Sequence, residues 1–173
     1  MKIKDLQPYD YMGKIEQVKS VGWLEGNFPK GETDPKLVEL LEKFPVINKC
    51  RGFHLCEYCD DQIKDGKIVG ETGNGEIWIV GKDQIYAAPS LIIHYIKDHN
   101  YLPPQEFIDS VFNGISSESD LYQRKIEEAK ETAVYKQSTY EETLSDVQDE
   151  MVKNLSKEVD SHILKELFKK GDN

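Results

Sequence analysis

Six of the chain's seven Cys and His residues fall between positions 50 and 99: Cys50, His54, Cys56, Cys59, His94 and His99. Core burial alone does not gather thiols and imidazoles in this way, so the segment folds around whatever draws them together. The spacing is C-x2-C, then 34 residues, then H-x4-H. A Cys-x-x-Cys turn places two thiolates on one tight knuckle, both able to face a single ion. Two histidines three to five residues apart at a helix end can complete a tetrahedron. The expected ligands are therefore Cys56, Cys59, His94 and His99, and the expected cofactor is zinc. His54 precedes Cys56 by two positions and is an alternate ligand. Cys50 follows Asn48-Lys49 and lacks knuckle geometry.

Other readings of the same residues are weaker. Three closely spaced cysteines fit poorly with a disulfide framework. A redox role for Cys56 and Cys59 would want a βαβ context that is missing here. His94 stands among Ile92, Ile93 and Ile96, so an ordinary helix histidine is the alternative at that position. A DNA-reading finger has an insert of about a dozen residues, far shorter than the one here. The net charge of −10 also repels phosphate backbones, and Lys49 and Arg51 are too small a basic cluster to offset it.

No catalytic residue is assigned. The chain has no H-E-x-x-H and no deaminase-type Pro-Cys-x-x-Cys. Gly70-Glu71-Thr72-Gly73-Asn74-Gly75 neither follows a clear strand nor opens a helix. Four candidate ligands favour a closed structural site, which leans away from an enzyme. The alternative is a small zinc-dependent hydrolase, with an open metal position lined by Glu57, Glu76 or His54.

The chain changes character near residue 114. All seven prolines and both tryptophans precede it, and the only glycine after it is Gly171. The fold class expected is α+β: a small knuckle, hairpin and helix domain over 1–114, then a helical extension over 115–173. Asp34-Pro35 predicts a helix start, with an N-cap followed by proline at the first position; Phe44-Pro45 ends it. Gly66 to Gly75 reads as a loop. Glu76–Val80 reads as a strand, Gly81-Lys82-Asp83 as a turn and Gln84–Ala87 as its partner. Pro89-Ser90 opens a helix that ends near Asn100. Pro103-Pro104 opens another, with Phe107, Ile108, Val111 and Phe112 on its apolar side. Asn113-Gly114 stops it, and Ser116–Asp120 holds a linker and a new N-cap.

The extension predicts helices over about 120–137 and 140–169. In the second, Leu144, Val147, Met151, Leu155, Val159, Ile163 and Leu167 form one apolar stripe at helical spacing. Such a stripe implies a protein partner or a homo-oligomer through 140–169. His162 sits on the acidic side and reads as solvated. No run reaches the roughly 18 apolar residues of a membrane helix, and Met1-Lys2-Ile3-Lys4-Asp5 lacks a signal peptide's apolar stretch, so the cytoplasm is the expected location.

Gly22-Trp23-Leu24, Arg51–Cys59, Gly75-Glu76-Ile77 and Tyr86–Phe107 resemble a family of small uncharacterised bacterial proteins. Its members carry a G-W-L element, an R-G-x-H-x-C-x-x-C knuckle and an A-P-x-L-I-x-H-Y-I-x-x-H-x-Y-x-P-P segment. The resemblance covers residues 20–112. It implies the grouping of Cys and His, keeps His54 in the knuckle, and implies no reaction. Residues 147–167 are similar to helical stretches of tailed-phage capsid proteins, which implies a virion as an alternative location.

Overall fold

Two apolar cores on opposite faces of one sheet account for the path of the chain. The computed structural model describes residues 3–134 apart from 61, 62 and 66. In chain order the elements are β1 (Pro8–Tyr9), β2 (Ile15–Ser20), α1 (Pro35–Leu41), β3 (His54–Leu55), β4 (Ile63–Lys64), β5 (Lys67–Ile68), β6 (Thr72–Gly73), β7 (Glu76–Val80), β8 (Ile85–Pro89), α2 (Ile92–His99), α3 (Gln105–Asn113) and α4 (Asp120–Glu131). The fold is α+β, as the sequence predicts. No helix among the described residues is long and apolar enough to cross a membrane.

The main sheet runs β1-β2-β8-β7, with β2 and β8 parallel and the other pairs antiparallel. β7 is buried along its whole length. Side chains alternate across a strand, so Ile77 and Ile79 face one core and Trp78 and Val80 the other. The first core collects Leu37 and Leu41 of α1, Ile92 and Ile96 of α2, and Phe107 and Val111 of α3. The second collects Tyr9, Ile15 and Val18 with Tyr122, Ile126 and Ala129 of α4. The Tyr122 hydroxyl donates to the Trp78 carbonyl at 2.8 Å, fixing α4 on the sheet.

Local chemistry sets the helix ends. The Asp34 carboxylate accepts from the Lys36 N–H at 2.9 Å ahead of Pro35, the expected start of α1. Gln84-Ile85 turn the chain back beside Val80, and β8 extends two residues beyond the expected Ala87. α2 ends at Asn100, which takes the left-handed conformation (φ 54°) and sends its N–H to the Tyr95 carbonyl. On α3, Phe107 and Val111 are buried while Phe112 stays exposed. Ser119 caps α4 by accepting from the Tyr122 N–H.

The expected helix over 120–137 forms as Asp120–Glu131, after which Val134 pairs with Lys14. The first compact unit is Met1–Tyr135, so the expected division at 114/115 falls inside it. The expected helix over 140–169, its apolar stripe and His162 lie outside the described residues. Two features were not anticipated. One is the pair β1 and β2. The other is paired structure reaching into the expected glycine loop, where β6 pairs back to β3 and β5 to β4 as two-residue ladders.

Candidate metal centre

The two halves of the Cys/His pattern arrive on different elements. The first half follows β3, whose pairing with β6 and the Cys56 N–H bond to the Glu71 carbonyl (3.2 Å) hold the knuckle in place. The second half rides on α2. At 3.6 residues per turn, positions five apart on a helix point about 140° apart, so His94 and His99 would not normally share a target. They do so here, with the two Nε2 atoms 3.1 Å apart, His99 being the last helical residue before the turn at Asn100. Their rings meet edge to face, with centroids 4.8 Å apart.

The four expected ligand atoms converge. Cys56 Sγ lies 3.1 Å from His99 Nε2, and Cys59 Sγ lies 3.2 Å from His94 Nε2 and 3.3 Å from His99 Nε2. The two Nε2 atoms are 3.1 Å apart. All four ligand atoms fit within 4.8 Å of one another. A tetrahedral ion with metal–sulfur bonds of about 2.3 Å and metal–nitrogen bonds of about 2.0–2.1 Å sets its ligand atoms roughly 3.3–3.8 Å apart. The three sulfur–nitrogen spacings and the nitrogen–nitrogen spacing given above lie at or a few tenths of an ångström below the lower edge of that range. Cys56, Cys59, His94 and His99 can hold a metal ion.

The surroundings prepare the donors. His94 Nδ1 lies 2.8 Å from Asp98 Oδ2. A carboxylate only accepts, so Nδ1 carries the proton and the Nε2 lone pair faces the thiols. This carboxylate–histidine arrangement orients metal ligands. Burial, with a smaller contribution from the neighbouring His94, lowers the His99 pKa below its usual value. Burial pushes the Cys59 thiol up, and contact with Cys56 adds to the shift. A bound cation reverses that preference, because a coordinating thiol is deprotonated outright. Cys56 is fully buried and His94 nearly so, while the Tyr58 ring meets His99 edge-on at 5.7 Å and the Tyr95 ring lies tilted to it at 6.5 Å.

The remaining candidates go elsewhere. His54, the alternate ligand, is not in the cluster; its Nε2 meets the Tyr11 hydroxyl at 2.9 Å. Cys50 Sγ points to the Asn48 carbonyl at 3.8 Å. Glu57 is exposed. Glu76 is buried and takes hydrogen bonds from Tyr9, Asn48 and Trp78 at 2.8, 2.9 and 2.7 Å. Sequence reasoning missed Asp98. The available signal was its position four residues after His94, one helical turn further along the same face.

The fold and site thus define an α+β domain with a Cys2His2 group able to hold a metal ion. The chain belongs to the family described as a domain of unknown function, DUF7919, whose model matches residues 1–112. No curated protein and no solved structure matches the chain.

Proposed function

We propose that this chain is a non-catalytic zinc module of the cytoplasm, in which the ion forms the core of the Cys-rich knuckle. The observation that carries this reading is the convergence of two thiols and two imidazoles within 4.8 Å. Four protein ligands fill a tetrahedron and leave no position for a reacting water. An S2N2 donor set in that geometry suits zinc better than magnesium or calcium, which take oxygen ligands. The hydrolase alternative needs an open position and a nearby acid or base, yet His54 is engaged by Tyr11 and Glu76 by three donors. Elemental analysis of the purified chain should return about one zinc per chain. Metal-free protein with full native stability would overturn the proposal.

The module's second part is association through residues 140–169, with another copy or a protein partner; a virion is one such setting. Its support is the sequence stripe from Leu144 to Leu167. An apolar stripe of that length gains its stability by packing rather than by helix propensity. Light scattering should find the full chain oligomeric and a 1–135 truncation monomeric. A monomeric full chain would refute it.

A further inference from the structure

The two sulfurs of the metal centre are not equivalent. Cys56 is fully buried, its N–H is held by the Glu71 carbonyl at 3.2 Å, and its Sγ lies 3.1 Å from His99 Nε2. Cys59 is half-buried and precedes the exposed Asp60. Its Sγ meets His94 Nε2, and the other nitrogen of that ring meets Asp98, whose side chain is 51% exposed. One thiol therefore lies at the rim of the centre and the other beneath it.

The pair also sits on one turn. Both sulfurs belong to a set of ligand atoms that lie within 4.8 Å of one another. They come from a Cys-x-x-Cys knuckle, the spacing that dithiol–disulfide proteins bridge. The third cysteine is outside this group: Cys50 Sγ reaches the Asn48 carbonyl, and its N–H donates to the Asn74 carbonyl.

We propose that the metal centre is a redox switch, in which hydrogen peroxide converts Cys56 and Cys59 to a disulfide and so expels the ion. The proposal rests on the zinc reading above. The thiolate is the nucleophilic form of cysteine, and a coordinating cysteine is held in that form. Cys59 Sγ attacks one peroxide oxygen. An S–O bond forms, the O–O bond breaks, and the leaving hydroxide takes a proton from solvent to become water. Cys56 Sγ then attacks the sulfur of the Cys59 sulfenic acid. An S–S bond forms, the S–O bond breaks, and the second hydroxide is protonated in the same way. Two thiolates lose two electrons, and one peroxide is reduced to two waters. A neighbouring resolving thiol stops the oxidation at this reversible stage.

A disulfide offers the ion no thiolate, leaving only His94 and His99 as donors. Among the described residues of 51–72 Cys56 alone is buried. What remains between the knuckle and α2 is the pair of ring contacts from Tyr58 to Tyr95 and His99. Oxidation thus releases the knuckle along with the ion. Disulfides of the cytoplasm are usually of this transient kind.

The test uses the full zinc-loaded chain, its metal content measured first. Hydrogen peroxide is added in stepwise equivalents while a chromogenic chelator reports released zinc and peptide mass spectrometry locates the disulfide. Zinc release at least about tenfold faster than without peroxide is expected, with the Cys56–Cys59 disulfide rising in step and Cys50 still a thiol. Cys50→Ser should respond like the unmutated chain. Dithiothreitol followed by zinc should restore the starting metal content, and amides of 54–73 should lose and regain protection from hydrogen exchange in parallel. Zinc retained under excess peroxide, release through a disulfide that includes Cys50, or release through sulfinic acid without a disulfide would each overturn the switch while leaving the zinc module standing. A chain purified without metal would overturn the module, and the switch with it.

Discussion

Glu76 shows how one residue can be misread from its neighbours in sequence. It stands close to the Cys/His motif and has the chemistry of a general base, but the fold spends it on structure. Its Oε1 accepts from the Tyr9 hydroxyl, and its Oε2 from Asn48 Nδ2 and Trp78 Nε1. Glu76→Gln would aim its NH2 either at Asn48 and Trp78, which donate, or at the Tyr9 hydroxyl, which would have to accept it in addition to the Met12 N–H. The expected loss is about 1–3 kcal/mol, read from urea unfolding; an unchanged midpoint would contradict the network. Burial also raises the Glu76 pKa above 4.5, partly offset by those three hydrogen bonds. The folded chain therefore holds this proton more tightly than the unfolded chain. Its stabilising contribution is complete below about pH 4.5 and is lost as pH rises through the folded midpoint. NMR titration of the Glu76 carboxyl should find that midpoint above 4.5. Asp98 acts on the metal through His94, so Asp98→Ala should lower metal affinity about 10–100-fold, measured by competition with a chelating dye, while leaving the stoichiometry unchanged.

At the scale of elements, legibility followed periodicity. β7 was readable because four consecutive residues, Ile77 to Val80, form an apolar run between Gly75-Glu76 and Gly81, and α2 and α3 because Asn100 closes one and Pro104 and Asn113 bound the other, although Pro89, expected to open α2, instead ends β8. β2 was not readable. Its fully buried residues, Ile15, Val18 and Ser20, break the alternation of a half-buried strand, and its pairing with β1 shifts register between Pro8 and Tyr9. The ladders β3–β6 and β4–β5 have two residues per strand, too short to leave any period. The four ligands were legible because thiols and imidazoles at metal spacing are rare in combination; the Tyr9 hydroxyl on Glu76, 67 positions away, left no local trace. The αL turn at Asn100 links element to site, since it closes α2 directly after His99. Asn100→Val should cost about 1–2 kcal/mol, because a side chain branched at Cβ is strained in that conformation, whereas Asn100→Gly should be nearly neutral. Thermal unfolding of the metal-loaded variants separates the two; equal effects would mean the turn is not the constraint.

Across the first compact unit, burial is unevenly shared. The sheet faces hold Trp78, Ile77, Ile79, Tyr122 and Phe107 out of water. The segment 51–72 has almost nothing of this kind: among its described residues Cys56 alone is buried, while Phe53, Ile63, Ile68 and Val69 are exposed. Two short ladders cannot stabilise such a segment alone. Its ties to α2 are the Cys/His group and the Tyr58–Tyr95 ring contact, so an ion there would serve as much of the segment's core. Structural zinc contributes on the order of 10 kcal/mol at neutral pH in small metal-folded peptides, whereas the sheet here has its own apolar packing. Metal removal should therefore open the knuckle without melting the sheet. Hydrogen exchange on the full chain should show amides of 54–73 losing protection on chelation, with amides of β7 and β8 still protected. Cys59→Ser should reproduce the pattern without chelator. Cys50→Ser should not, since Cys50 Sγ reaches only the Asn48 carbonyl. Loss of protection in β7 and β8 together with the knuckle would show that the unit unfolds as one and that the metal has no separate segment to hold.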